Sequence, residues 1–111
     1  MIFHGSITIM NTPQKGQVRW IVFKDGDTWY ASCLEFNIVE SGDDARIALI
    51  NMFDAMTGYI ESAGKIRGSR YHALNQRPAE EYEKLWAIAN GEKKIRSPYV
   101  IDAFGYSTIP R

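Results

Sequence analysis

The sequence predicts an α+β fold: a three-stranded antiparallel meander with a helix packed on one face, plus a C-terminal helix and strand. Three observations support this prediction. The first 41 residues contain several short runs rich in β-branched and aromatic residues. A long amphipathic stretch follows them, and a second helical pattern precedes a final apolar run. At 111 residues the chain has the length of one domain, so we expect 1–111 to fold as a single domain.

The three predicted strands span about 17–24, 28–34 and 36–41. The first two flank Asp25-Gly26-Asp27, and an Asp-Gly pair is a strong signal for a short hairpin. A parallel neighbour needs a long crossover connection, whereas the connections here are very short. The three strands are therefore expected to be antiparallel.

The main helix is predicted over about 43–63, where apolar residues recur within one wide face. Asp44 is the expected N-cap, because its carboxylate can accept free backbone N–H groups and meets the positive end of the helix dipole. Gly64 is a suitable stop after the last turn. The apolar face of this helix should pack across the meander.

The C-terminal third is less regular. Residues 64–77 are basic and typical of a loop, whereas 78–90 predicts a second helix that begins at a proline and ends before a glycine. A last strand is predicted over about 99–109, and 2–10 is a candidate for one more.

More apolar surface is present than one helix on one sheet can bury. The first strand is apolar on both faces, and two isoleucines lie off the apolar face of the main helix. We therefore expect a homo-oligomer, a dimer or higher, that covers the second face of the sheet. The alternative is a monomer whose C-terminal third folds over that face. The candidate contact residues are Trp20, Ile21, Ile47 and Ile50.

The net charge is zero, but the two parts of the chain carry opposite charges. Residues 1–64 include four Lys/Arg and eight Asp/Glu, a net charge of −4. Residues 65–111 include nine Lys/Arg and five Asp/Glu, a net charge of +4. This asymmetry indicates a basic partner for the first part, an anionic partner for the second, or attraction between the two parts. The candidate nucleic-acid contacts are Lys65, Arg67, Arg70, Tyr71 and Arg77, which could neutralise phosphates and stack on a base.

Four short motifs follow one another in the first two-thirds of the chain. They are Asp25-Gly26, Trp29-Tyr30-Ala31-Ser32-Cys33-Leu34-Glu35, Gly42-Asp43 and Ala48-Leu49-Ile50-Asn51. Their order resembles the HicB-like antitoxin family over about 17–63, which leaves 65–111 as a C-terminal extension. The resemblance implies a partial ribonuclease H-like fold that binds and blocks a small basic ribonuclease toxin. The family also includes solitary domains of unknown role. Many members carry a C-terminal DNA-binding domain, for which the residues after Gly91 predict no second helix.

No pattern indicates catalysis. A ribonuclease H site needs carboxylates that converge from strand centres on two metal ions, but the middle of the first strand is apolar, and Asp25 and Asp27 lie in a turn. His4 and His72 have no companions at metal-ligand spacing, so neither a metal nor another cofactor is expected. Cys33 is expected to be a buried apolar side chain. The sequence therefore favours a non-catalytic binding protein.

The start of the chain lacks the basic region and the continuous apolar core of a secretory signal. No apolar run approaches the roughly 20 residues that span a bilayer. With one cysteine there is no internal disulfide framework. We therefore expect a cytoplasmic protein without a membrane partner.

Overall fold

The computed structural model describes residues 10–65, 70–91 and 100–109. The predicted α+β fold is confirmed: an antiparallel meander is followed by a long helix and, near the end of the chain, by a second helix and a strand. The candidate strand over 2–10 lies, except for its last residue, outside the described residues. The elements within these ranges are β1 (Gly16–Asp25), β2 (Thr28–Cys33), β3 (Ile38–Gly42), α1 (Ala45–Lys65), α2 (Arg70–Ala73), α3 (Glu80–Ala89) and β4 (Val100–Ile109).

The strands form one antiparallel sheet in the order β3-β2-β1-β4. The hairpin between β1 and β2 turns at Gly26, whose φ of +64° is a conformation that glycine adopts without steric cost. β4 pairs with β1 along its whole length, from the pair Gly16 and Ile109 to the pair Lys24 and Val100. In the described part of the chain, β3 and β4 are the two edge strands.

α1 covers one face of the sheet. Its first turn is capped as predicted, because the backbone N–H of Ile47 donates to Asp44 Oδ1 at 2.8 Å. Alternation along the strands directs one set of apolar side chains toward this helix. The fully buried members of this core include Val18, Val22, Ala31, Cys33, Ala48, Met52 and Met56.

α3 covers the opposite face, so the sheet lies between two helices. The second core consists of Ile21, Phe23, Leu34, Leu85 and Trp86. On this face the sheet is therefore covered by α3, which belongs to the C-terminal third, as the alternative to an oligomer predicts.

Two of the four predicted contact residues have to be corrected. Ile21 is 0% exposed because α3 lies on it. Trp20 points to the other face, where its ring meets Phe53 edge-on at 5.9 Å between centroids. Gly105 on β4 leaves room for this indole, since a Cβ there would lie 2.8 Å from Trp20 Cζ2. Ile21 is therefore buried, and Trp20 is half-buried on the α1 side of the sheet.

The third strand begins two residues later than predicted. Asn37 has a φ of +53°, a left-handed conformation that asparagine tolerates better than most residues, and its N–H donates to Leu34 O. The turn carries Phe36 away from the sheet edge into the core, where its ring lies 5.1 Å from that of Tyr59. A second difference is α2, a short helix inside the segment predicted as a loop.

Ser32 is a buried polar residue whose effect on stability can be tested. Its side chain is fully buried, and within the described residues Oγ has no hydrogen-bond partner. Since a buried hydroxyl without a partner is costly, we expect Ser32→Ala to raise the free energy of unfolding by about 1 kcal/mol. Urea unfolding measures the change, with the exposed Ser41→Ala as a control that should change little. A loss of stability in Ser32→Ala would show that the hydroxyl is bonded.

Candidate protein-binding surface

The two isoleucines predicted to lie off the buried face of the main helix are exposed. Ile47 is 43% exposed and Ile50 is 49% exposed, one turn apart at the start of α1. Val39 of the edge strand β3 is 38% exposed. We call these three residues the β3 rim, because they follow the open edge of β3 and the adjoining turns of α1.

Close backbone contact holds the β3 rim in shape. A Cβ on Gly42 would lie 2.5 Å from the backbone nitrogen of Ala48, so only glycine lets the end of β3 approach α1 this closely. The Asn51 side-chain amide donates to the backbone carbonyl of Ser41 at 2.9 Å. The isoleucines are therefore presented on a fixed helix beside a fixed strand.

The surroundings of the β3 rim are acidic. Between Ile38 and Asp54 the sequence has four carboxylates and one cation, Arg46. Asp43, Asp44 and Asp54 are exposed, and Glu40 is half-buried. Exposed apolar residues among mostly acidic neighbours are typical of a binding surface for a basic partner.

A cleft of about 240 Å³ opens on the α3 side of β3. We call it the aromatic cleft, because three of its residues carry aromatic rings. The ring of Phe23 lies 5.6 Å from that of Tyr30, nearly parallel to it, and 6.0 Å from that of Tyr82. The complete lining is Phe23, Asp25, Tyr30, Val39, Glu81, Tyr82 and Leu85.

The sequence did not predict the aromatic cleft. Alternation places Phe23 and Asp25 on one face of β1, but it does not indicate which helix covers that face. Glu81 and Tyr82 come from α3, whose docking site depends on long-range packing. Acidic residues in the first turn of α3 were the available signal, and they are equally typical of an ordinary helix start.

An ion cluster fastens α3 to the sheet beside the cleft. Arg19 of β1 donates from Nε to Glu35 Oε2 at 2.7 Å, and from Nη1 and Nη2 to the two oxygens of Glu83 at 2.9 and 2.8 Å. Its guanidinium also lies 5.4 Å from the centre of the Trp86 ring. Burial by itself lowers the pKa of Arg19, but hydrogen bonds to Glu83 and the charge of Glu35 outweigh it and raise the pKa overall. The arginine is therefore always charged.

The predicted nucleic-acid residues are only partly described. Lys65 is exposed at the end of α1, and Arg77 is exposed before α3. Arg70 and Tyr71 begin α2, and Arg67 lies outside the described residues. The structure thus defines no basic surface that these five residues share.

Cys33 lies in the core, with Sγ 3.7 Å from the sulfur of Met56. Burial, together with the nearby charge of Glu35, raises the pKa of the Cys33 thiol to about 12, so it stays protonated and a poor nucleophile at neutral pH. Within the described ranges, no three His, Cys, Asp or Glu side chains are close enough to hold a metal ion.

The fold defines an α+β protein whose sheet lies between two helices and whose β3 edge is apolar and acidic. Comparison of the chain with protein-family models, curated proteins and solved structures gives no significant match. The resemblance to the HicB-like family therefore remains a prediction that rests on the four motifs between Asp25 and Asn51. Among the described helices, none has both the length and the apolar character needed to cross a membrane.

Proposed function

We propose that this chain is a non-catalytic protein-binding module of the HicB antitoxin type, and that it binds and blocks a small basic ribonuclease toxin in the cytoplasm. The observation that carries the proposal is the pair of exposed isoleucines, Ile47 and Ile50, on an acidic edge of the sheet. This surface lies within the part of the chain that resembles the family.

The β3 rim offers three kinds of contact to a partner. Burying an exposed isoleucine contributes roughly 1.5–3 kcal/mol. An edge strand presents unpaired backbone groups to which another chain can add a strand. The carboxylates of Asp43, Asp44 and Asp54 attract a basic protein and increase its rate of association.

The chemistry of the described residues supports binding rather than catalysis. Cys33 is buried and protonated, and Asp25 and Asp27 lie in or beside the hairpin turn rather than at a strand centre. The centre of β1 is apolar on both faces. A blocking protein needs only to cover the site of its partner.

The test is co-expression with the neighbouring gene, which the proposal expects to encode a small basic protein. The chain should co-purify with that protein and relieve its growth arrest. Ile50→Glu should weaken the complex at least about tenfold, because it places a charge in the centre of an apolar contact. Failure of the unaltered pair to co-purify, with growth arrest unchanged, would contradict the proposal.

The matched control is Ser62→Glu, which adds the same charge at an exposed position near the other end of α1. It should leave the complex unchanged. Asn51→Glu is unsuitable as a control, because the Asn51 amide holds α1 to Ser41. Equal weakening by Ile50→Glu and Ser62→Glu would show that added charge, rather than the β3 rim, controls binding.

The alternative occupant of the β3 rim is a second copy of the chain rather than a toxin. Sedimentation equilibrium of the purified chain distinguishes them, since a single species near 12.7 kDa excludes self-association at the concentration used. A dimer that Ile50→Glu dissociates would place the second copy on this rim. A dimer that survives the change would place it elsewhere, with the exposed Phe104 and Tyr106 of the β4 edge as the next candidates.

The nucleic-acid alternative is tested on the same samples. Binding through the basic C-terminal third would shift generic RNA or DNA at low salt and lose affinity steeply as salt rises. Lys65→Glu and Arg77→Glu would then weaken it, whereas Ile50→Glu would not. This pattern, without toxin binding, would replace the proposed function.

A further inference from the structure

We propose that the aromatic cleft is a receptor for a guanidinium group, the side chain of an arginine on the basic partner protein. The lining of the cleft combines three aromatic rings with two carboxylates: Phe23, Tyr30 and Tyr82, and Asp25 and Glu81. This inference rests on the proposed function for the identity of the partner, but the cleft itself can be tested without that partner.

The ring geometry suits a flat cation. Phe23 is buried at the base of the cleft, and Tyr30 and Tyr82 are half-buried beside it. The Phe23 and Tyr30 rings are stacked with an inclination of 25°, and the Tyr82 ring is tilted by 44° to that of Phe23, so aromatic surface from β1, β2 and α3 lines the cleft. Cations are attracted to aromatic faces, and the planar guanidinium also stacks on them.

The two carboxylates add charge that the described residues do not neutralise. Asp25 and Glu81 are exposed, and neither forms an ion pair within the described ranges. The nearest cations in the sequence are engaged elsewhere. Lys24 lies over Trp29 on the other face of the sheet, and Lys84 pairs with Glu80 at 3.3 Å.

Size favours a single side chain. Pockets that enclose drug-sized ligands measure roughly 300–1,000 Å³, and this cleft is smaller, at about 240 Å³. Its position also fits a side chain from a protein on the β3 rim, because Val39 belongs to both surfaces. A partner along β3 could insert an arginine on the α3 side while it contacts Ile47 and Ile50 on the other.

One feature opposes a cation here, because the start of α3 carries the positive end of its dipole. That end amounts to roughly half an elementary charge and is spread over several N–H groups. Of the three glutamates in the first turn, Glu80 pairs with Lys84 and Glu83 with Arg19, whereas Glu81 lines the cleft and offsets the dipole there together with Asp25. The local balance at the cleft is therefore negative.

The experiment is an NMR titration of the intact chain with N-acetyl-arginine methylamide, at constant ionic strength. The lysine analogue and the neutral citrulline analogue are titrated in parallel. We expect the arginine probe to shift the backbone amides of Asp25, Val39 and Glu81, with a dissociation constant on the order of millimolar for so small a probe. The lysine probe should bind more weakly, and the citrulline probe should not bind measurably.

Two pairs of variants separate the cleft from general charge. Asp25→Asn and Glu81→Gln should each weaken arginine binding by at least about threefold, because each removes a carboxylate from the lining. Asp27→Asn and Glu80→Gln remove the same charge from exposed neighbours outside the lining and should leave binding unchanged. Amide spectra of the free variants verify that each remains folded.

The outcomes separate this inference from the proposed function. Equal shifts with the arginine and citrulline probes, or equal losses in Asp25→Asn and Asp27→Asn, would overturn the guanidinium site even if a toxin binds. Binding of the arginine probe with the expected variant pattern would support the site even if co-purification fails. Absence of any shift up to tens of millimolar probe would overturn it.

Discussion

Gly42→Ala should lower the free energy of unfolding by about 2–3 kcal/mol, a large effect for the addition of one methyl group. The new Cβ would lie 2.5 Å from the nitrogen of Ala48 and 2.9 Å from the carbonyl carbon of Ile47. Both are backbone atoms of α1, so no side-chain rotation can relieve the overlap. The end of β3 and the first turns of α1 would have to move apart.

Gly58→Ala is the control, because it makes the same substitution in the same helix. Gly58 lies inside α1, and a Cβ there meets nothing within 4 Å. Alanine restricts the unfolded chain and favours the helix, so this variant should gain about 0.5–1 kcal/mol. Urea unfolding of both variants gives the comparison. Equal effects would mean that α1 can shift at Gly42 without cost.

Local signals explain the elements that the sequence predicts correctly. The Asp25-Gly26 turn and the Asp44 cap each depend on residues only a few positions apart in the sequence, and both lie where predicted. The sequence predicts a start of β3 that is two residues too early, because alternation alone does not reveal the left-handed conformation at Asn37. That residue also fixes the segment before α3, since its side-chain Oδ1 accepts from the N–H of Ala79 at 3.2 Å.

Long-range packing explains what the sequence could not predict. Because β1 is apolar on both faces, the sequence indicates that both faces of the sheet are covered. It does not indicate that α3 covers the second face. For this reason the sequence predicts a partner contact at Ile21, whereas the structure buries this residue beneath α3. The predicted position of Ile47 and Ile50 off the buried face of α1 is confirmed, because helical periodicity alone separates them from that face.

The attachment of α3 also decides which functional surfaces exist. The aromatic cleft requires Glu81 and Tyr82 to lie beside Phe23. Leu85 and Trp86 hold the middle of the helix through apolar contact, and the Arg19 cluster holds its first turn. Loss of that cluster should therefore affect the cleft as well as stability.

Arg19→Met should lower the free energy of unfolding by about 2–4 kcal/mol, since it leaves two neighbouring carboxylates without their counter-ion. Glu35 and Arg19 are only about one-fifth exposed, at 20% and 21% of their side chains, so water replaces the lost contacts poorly. The control is Lys84→Met, which breaks the exposed Lys84–Glu80 pair of α3. That pair should contribute no more than about 0.5 kcal/mol.

Two further variants locate the origin of the loss. Arg19→Lys keeps the charge but cannot make the forked bonds to Glu83, so its stability should fall between the wild type and Arg19→Met. Combining Arg19→Met with Glu35→Gln and Glu83→Gln should recover part of the loss, because the uncompensated charges are then removed. No recovery would mean that the hydrogen-bond geometry, rather than charge, holds α3. A loss as small as that of Lys84→Met would show that the apolar contacts of Leu85 and Trp86 suffice to attach the helix.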